Sequence, residues 1–261
     1  LLVQAAREAI TRIDHAVAEL RLQVDGQLPS VGVGTVEHGI RTGLLTEALR
    51  ALQGAERDHK APDAYVEVRV HQLTSSAALI ALRERTVDVA VVSTRPPAEH
   101  KDLSSVRLVQ DPLGAALVPA DAPFAGARPA GHAVPIRALS QLPLIVVPEH
   151  ADPLVRARRD AALAAVGMAD TPRREAGDES AALAMVGAGL GWLLVPISCT
   201  TGRVAVPAGV HACPLVDFQL PFGLHLVWRR NDHRTAVDCL RRALRYAADQ
   251  QNRRAAAEPH A

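Results

Sequence analysis

The first stretch of the chain carries apolar residues at a regular helical spacing. Within residues 1–25 they recur at alternating intervals of three and four, the heptad pattern of a helix that buries one narrow stripe against a partner helix. Gly26 and Pro29 end this helix. We predict a linker and dimerisation helix over residues 1–25; an amphipathic helix packed on its own domain is the alternative. No capping residue precedes Leu1, so we expect the helix to continue from an earlier segment.

From Ser30 onward, the pattern changes to short apolar strands that alternate with helices, which predicts open α/β sheets. A loose stretch rich in Pro, Gly and Ala, residues 119–135, separates two such units. The predicted strands are residues 31–33, 65–73, 87–92, 103–109, 112–118, 144–147, 173–176, 190–195, 212–216 and 224–228. The predicted helices are residues 39–52, 74–85, 153–166, 178–186 and 233–248.

The composition excludes several classes of function. Aromatic residues make up only 3% of the chain, too few to stack the bases of single-stranded nucleic acid. Lys and Arg number 29 against 28 Asp and Glu, so there is no basic excess to bind a phosphate backbone. The three cysteines form no CxxC pair, and charges near the N-terminus exclude a signal-peptide core. We therefore expect a cytoplasmic protein.

One uncharged run, Ser180 to Gly202, has 23 residues and is therefore nominally long enough to cross a membrane, which takes roughly 20. Three glycines and Pro196 interrupt it, so we predict a buried helix, a turn and a strand instead. The chain has no HExxH, GxSxG, Walker A or complete GxGxxG motif, and nothing predicts catalysis, a metal or a cofactor. The Gly32/Gly34 and Gly187–Gly191 clusters are interpreted as backbone devices, and Asp178-Glu179 as a helix N-terminus.

A binding geometry follows from the predicted sheet. In open α/β sheets, small ligands lie beyond the carboxyl ends of the strands, against helix N-termini. Residues 34–37, 74–76 and 93–95 follow three successive strands, so their hydroxyls and amides and the Arg95 guanidinium converge on one rim. This combination suits a metabolite that carries a carboxylate.

The chain resembles the LysR-type transcriptional regulators, in their linker helix and effector-binding domain, without the N-terminal winged helix-turn-helix. The resemblance covers nearly the whole chain, and the order and spacing of its motifs are specific. The matching segments are residues 5–22 (AAREAITRIDHAVAELRL), 31–35 (VGVGT), 66–92 (VEVRVHQLTSSAALIALRERTVDVAVV), 142–147, 175–196 (EAGDESAALAMVGAGLGWLLVP) and 224–230 (LHLVWRR).

The resemblance implies two Rossmann-like subdomains of the type II periplasmic-binding-protein kind, with a ligand cleft between them. Subdomain I would comprise residues 30–111 and 222–250, subdomain II residues 112–221, and residues 251–261 a flexible tail. The implied effector contacts, together with Arg95 from the rim argument, are Gly34, Thr35, Val36, Ser75, Ser76, Ser93, Thr94, Arg95, Pro148, Glu149, His150, Pro196 and Phe222.

The implied function is sensing of a small, anionic metabolite that modulates DNA binding and transcription. The implied partners are the effector, further copies of the chain in a homodimer or homotetramer, and duplex DNA only through the missing N-terminal domain. A solute-binding protein of a transport system shares this fold and is the alternative; an enzyme on the same scaffold would need a nucleophile and base that the sequence lacks.

Overall fold

Two five-stranded sheets with their helices make up the part of the chain that the computed structural model describes, residues 29–57, 66–122, 133–201 and 204–257. The chain divides into two units. The first holds the chain up to Leu73, Ala77–Val109 and the chain from His225 onward, and the second holds Thr74–Ser76 and Gln110–Leu224. The predicted class, α/β with two subdomains, is confirmed. The predicted helix over residues 1–25 lies outside the described residues.

The regular elements alternate along the chain as an α/β fold requires. In chain order they are β1 (Ser30–Thr35), α1 (Glu37–Arg41), α2 (Leu44–Arg57), β2 (Glu67–Gln72), α3 (Ser75–Arg83), β3 (Val89–Val92), β4 (Leu103–Gln110), β5 (Leu113–Pro119), a 3₁₀ helix (Ile136–Leu139), β6 (Leu144–Val146), α4 (Pro148–Ala151), α5 (Pro153–Ala165), β7 (Arg173–Glu175), α6 (Glu179–Gly187), β8 (Trp192–Pro196), a second 3₁₀ helix (Ile197–Thr200), β9 (Val210–Pro214), β10 (Gly223–Arg229) and α7 (Thr235–Ala257).

The first sheet has the strand order β2-β1-β3-β10-β4. Strand β1 runs parallel to both β2 and β3, with Thr35 opposite Gln72 on one side and Val91 on the other. The carboxyl ends of these three strands therefore meet at one edge of the sheet, as the sequence predicts. A Cβ added at Gly32 would lie 3.2 Å from the Cα of Val87, which confirms the interpretation of this glycine as a close-approach device.

The second sheet has the order β7-β6-β8-β5-β9 and is buried on both faces at its centre. Along β8, Trp192 and Leu194 enter one apolar cluster, whereas Leu193 and Val195 enter another. This alternation follows from the period of two in a strand. The unbroken apolar runs of β5 and β8 are the sequence pattern of strands covered by protein on each side.

One predicted helix, residues 39–52, is two helices in the structure. Gly43 lies between α1 and α2 with φ +74°, a left-handed conformation that ends α1. Its N–H donates to the carbonyl of Ile40 at 3.0 Å, and the N–H of Thr42 donates to that of His38 at 3.1 Å. Apolar periodicity continues across this break, which is why the pattern alone predicts a single helix.

The segment predicted to be a flexible tail, residues 251–261, begins as helix, because α7 runs through its first part. The side chain of Gln251 donates to the carbonyl of Thr42 at 2.9 Å, and that of Asn252 donates to the carbonyl of Leu108 at 2.9 Å. These bonds to the first unit hold the helix past the point at which its apolar pattern ends.

A cluster of four charges joins Asp88, which precedes β3, to the end of β10 and the residues after it in the first unit. The Asp88 carboxylate accepts from the Gly32 N–H at 2.9 Å and from Arg229 at 2.7 Å, and it also pairs with Arg234. Asp232, whose side chain is 3% exposed, accepts from Arg229 and Arg234, each at 2.7 Å. We call these four residues the Asp88 cluster.

Hydrogen bonds and the arginine charges lower the pKa of both acids in the cluster. Burial alone would raise the pKa of Asp232, but the hydrogen bonds and charges of Arg234 and Arg229 outweigh it and hold that pKa well below its ordinary value. The pKa of Asp88 is likewise lowered: burial opposes the shift, and the Gly32 N–H and the two arginines outweigh it.

We expect the Asp88 cluster to make the chain sensitive to acid. Both folded-state pKa values lie below the unfolded value of about 3.9, so the stabilisation is complete above about pH 5 and is lost progressively as the pH falls. Asp232→Ala should lower the free energy of unfolding at pH 7 by about 3–5 kcal/mol, because Arg229 and Arg234 each lose one of two carboxylate partners and are left to share the single charge of Asp88. Urea unfolding at pH 7 and pH 3 measures this, and the penalty of the variant should shrink at pH 3. Asp170→Ala, at an exposed position, is the control; an equal penalty for both variants would contradict the prediction.

The glycines that follow α6 serve the backbone, as the sequence predicts. Gly189 has φ +73° and its N–H donates to the carbonyl of Val186 at 2.9 Å, which closes the helix. A Cβ at Gly191 would lie 2.3 Å from the carbonyl oxygen of Pro143, the same oxygen that accepts from the Trp192 N–H at 2.9 Å.

We expect Gly191→Ala to destabilise the second unit by about 1–3 kcal/mol, since the added methyl must push β8 away from Pro143. Gly177→Ala is the matched control, because a Cβ there meets no atom within 4 Å and the smaller unfolded-state entropy should leave stability unchanged or raised by up to about 1 kcal/mol. Thermal unfolding compares the two variants. Equal melting temperatures would show that β8 tolerates the displacement.

Candidate functional site

Two of the predicted contact segments, residues 34–36 and 93–94, lie at the carboxyl edge of the first sheet. Thr35 is fully buried at the end of β1, where its hydroxyl donates to the carbonyl of Val36 at 3.1 Å. The N–H of Val36 donates to the carbonyl of Val91 at 3.1 Å, which ties this segment to β3. Ser93 and Thr94 follow β3 directly and are 2% and 8% exposed.

Glycines fix the shape of this edge. A Cβ at Gly39 would lie 2.6 Å from the Thr35 hydroxyl oxygen, so α1 begins in direct contact with the end of β1. A Cβ at Gly34 would lie 3.1 Å from the Leu73 side chain. Both positions need a residue without a side chain, and the backbone at this edge is correspondingly close-packed.

The Arg95 guanidinium, which the sequence also predicts at this edge, is not bonded to the hydroxyls of the described residues there. Arg95 is exposed, and among the described residues no hydrogen bond or ion pair connects its guanidinium to a hydroxyl of the edge. The structure therefore brings Ser93 and Thr94 together with Thr35 and Val36, but it does not gather Arg95 with them.

Ser75 and Ser76, at the start of α3, belong to the second unit and are bonded to two carboxylates within it. The Glu149 carboxylate accepts from the Ser75 N–H at 2.9 Å and from its hydroxyl at 2.5 Å. The Asp152 carboxylate accepts from the Ser76 N–H and hydroxyl, each at 2.8 Å. Each acid thus binds one serine at two points. We call these four residues the serine–carboxylate cluster.

The first turn of a helix explains why carboxylates gather here. The first N–H groups of a helix have no partner within it, and they carry a partial positive charge. Ser75 is fully buried and Asp152 is 4% exposed, so the bonds between the acids and the serines are largely screened from water. Charge-assisted hydrogen bonds of this kind are about twice as strong as neutral ones.

Helix α4 positions the two acids. Pro148 starts it, Glu149 and His150 follow, and Asp152 comes directly after its last residue. The N–H of Asp152 donates to the carbonyl of Pro148 at 3.0 Å, and its carbonyl accepts from the N–H of Arg156 at 2.8 Å, at the start of α5. Asp152 therefore lies in the bend between α4 and α5, where its carboxylate accepts from Ser76.

A third carboxylate repeats the arrangement beside Pro196 and Phe222. Asp111 is 6% exposed, and its carboxylate accepts from the Ser198 N–H at 3.1 Å and hydroxyl at 2.5 Å. The N–H of Asp111 donates to the carbonyl of Phe222 at 3.1 Å. The two predicted contacts Pro196 and Phe222 therefore flank an acid-bonded serine at the start of the second 3₁₀ helix.

Sequence reasoning finds Glu149 through the family resemblance but misses Asp152 and Asp111. Asp152 precedes Pro153, which is the pattern of an ordinary N-cap for α5. Asp111 precedes Pro112 and is 87 residues from Ser198, so no local signal connects them. By contrast, Asp178 caps α6 as predicted, by accepting from the Ala181 N–H at 2.7 Å.

The described ranges also bear on a metal site and on a membrane-spanning helix. No group of three or more His, Cys, Asp or Glu side chains there is arranged to hold a metal ion. No helix within the same ranges combines the length and apolarity needed to cross a membrane. The uncharged run from Ser180 forms α6, the glycine turn and β8, as the sequence predicts.

The chain is similar to one protein family and to several solved structures. The family model of the LysR substrate binding domain matches residues 34–249. The effector-binding domain of BenM with its effector benzoate has a TM-score of 0.66 at 19% identity, covering 86% of this chain and 94% of that one. The effector-binding domain of QuiR in complex with shikimate has a TM-score of 0.66 at 15% identity, covering 84% and 97%.

A full-length protein with the same fold has been solved on DNA. CbnR in complex with its target DNA has a TM-score of 0.66 at 17% identity, covering 95% of this chain and 80% of that one. No curated protein sequence matches the chain. These similarities confirm the predicted fold class, two α/β subdomains of the type II periplasmic-binding-protein kind.

We expect Ser76→Ala to lower the free energy of unfolding by about 1.5–3 kcal/mol, because the hydroxyl bonds a buried, charged carboxylate. Ser180→Ala is the control, since Ser180 lies exposed on α6, and it should change stability by less than about 0.5 kcal/mol. Urea unfolding of the two variants at pH 7 measures the difference. A Ser76 variant as stable as the wild type would show that Asp152 does not depend on this hydroxyl.

Proposed function

The chain belongs to the LysR substrate binding domain family, and we propose that it is the effector-sensing regulatory domain of a LysR-type transcriptional regulator. The observation that carries this proposal is the family match over residues 34–249, which runs through both units and both sheets. Support comes from the fold, which this chain shares with the effector-binding domains of BenM and QuiR.

The proposed activity is reversible binding of a small molecule, without catalysis. A ligand that binds one conformation of the domain better than another shifts the balance between them, and the shift is the signal. The proposed contacts lie at the ends of β1 and β3, at the start of α3, on α4, and at the ends of β8 and of the segment before β10. They are Gly34, Thr35, Val36, Ser75, Ser76, Ser93, Thr94, Arg95, Pro148, Glu149, His150, Pro196 and Phe222.

We also propose how the domain takes part in regulation. Its charges are balanced at a net +1, so DNA contact falls to a separate reader segment, as in a regulator with a winged helix-turn-helix. Assembly is with further copies of the same chain, and the compartment is the cytoplasm. CbnR, a full-length protein of similar fold, is solved with its target DNA.

Thermal-shift screening with a panel of metabolites tests the proposal. A ligand at 100 times its dissociation constant should add about 2.7 kcal/mol to the free energy of unfolding. Ser93→Ala should then weaken binding about tenfold, the loss of one hydrogen bond to the ligand. Ser180→Ala, on the exposed side of α6, should bind as the wild type does. A panel in which no compound of any charge stabilises the chain would contradict an effector-sensing role.

A further inference from the structure

Glu149 stands in the structure where a ligand carboxylate would bind the start of α3. Its two oxygens accept from the Ser75 N–H at 2.9 Å and from the Ser75 hydroxyl at 2.5 Å. We propose that Glu149 is a specificity-determining residue, which fills this position from within the chain and directs the site toward effectors without a carboxylate there. The inference rests on the proposed effector-binding function and departs from the anionic class that the sequence predicts.

The two-point contact is the pattern by which a helix start holds a carboxylate. One oxygen takes a backbone N–H and the other takes a hydroxyl, so both donors of Ser75 face the same carboxylate. Ser75 is fully buried. An incoming carboxylate could reach these donors only after Glu149 had left them.

Asp152 strengthens the exclusion. It binds the neighbouring Ser76 in the same two-point manner, at 2.8 Å to the N–H and 2.8 Å to the hydroxyl. Two full negative charges therefore already lie on a helix end whose own partial charge is about +0.5. A third anion would meet repulsion from both acids and little remaining attraction from the helix.

A cap supplied by the residue next to the helix uses a different contact. Helix α3 begins directly after Thr74, a residue type that caps helices from the adjoining position. Helix α6 shows the local solution, where Asp178 accepts one N–H three residues further on. Glu149 instead comes from 74 residues away and binds both donors of one serine, as Asp111 does at Ser198.

Chemical rescue with acetate tests this role without knowledge of the effector. Glu149→Ala removes the carboxylate that accepts from Ser75, and acetate supplies a carboxylate of the missing size. We expect the melting temperature of the variant to rise by about 2–4 °C in sodium acetate relative to sodium chloride of equal ionic strength. The wild type should show no such difference, and the double variant Ser75→Ala/Glu149→Ala should lose it.

Asp178→Ala is the matched control, because it removes a carboxylate from another helix start where only one N–H is bonded. Its melting temperature should not depend on acetate. If Glu149→Ala does not fold in chloride, its melting temperature cannot be compared between salts. The yield of folded protein after refolding from urea is then compared in the two salts, and a higher yield in acetate supports the proposal. Absence of rescue in both assays, or equal rescue of Asp178→Ala, would overturn it.

The effector class is tested separately with benzoate as the carboxylate probe. We expect benzoate to stabilise Glu149→Ala and to leave the wild type unchanged. If a carboxylate stabilises the wild type and this effect disappears in Ser75→Ala, ligands displace Glu149. That result would contradict this inference and support the proposed function. The opposite failure is distinct, because acetate rescue in a chain that no metabolite stabilises would contradict only the effector-sensing role.

Discussion

The Asp88 carboxylate is the interaction on which the first unit depends. This unit is built from two separate stretches of chain, and the returning stretch brings Arg229 and Arg234 to a single acid at the start of β3. The same carboxylate accepts the N–H of Gly32 in β1, so one side chain connects three segments that are distant in sequence. Both carboxylates and both guanidinium groups are hydrogen-bonded, which offsets the free-energy cost of burying their charges. Strands β1 and β3, which lead to Thr35 and Ser93, are thereby bonded to the returning stretch of chain.

Most of the fold is predictable from the sequence because the strands have a strong local signature. The runs VAVV and WLLVP are apolar without interruption, which indicates strands covered on both faces, and both are central strands. Prediction fails where a single residue outweighs the pattern. Gly43 divides an apolar helical stretch in two, and side-chain bonds from Gln251 extend α7 past its apolar pattern. Neither effect is visible in periodicity, because each is decided by one conformation or one distant partner.

The candidate site is harder to predict for a related reason. Serines after a strand read equally well as caps, as ligand contacts or as both, and their sequence does not say which acceptor they meet. The partners that settle the matter, Glu149 and Asp152, lie more than 70 residues away. Asp111 and Ser198 form the same two-point pair from equally distant positions. The chain thus repeats one motif, in which a carboxylate accepts from both the N–H and the hydroxyl of a serine at the start of a helical turn. Only the three-dimensional structure shows this motif.

During synthesis, the two units obtain all of their strands at different times. Apart from Thr74–Ser76, the second unit is one continuous stretch, so almost all of its strands are available as soon as Leu224 has emerged. The first unit starts earlier but lacks β10, the strand between β3 and β4, until the chain has passed Arg229. During synthesis β1 to β4 therefore wait with an unfilled gap in their sheet and apolar surface uncovered. This interval is when nascent chains are most prone to aggregate, and the half-built first sheet is the surface that a chaperone would have to shield.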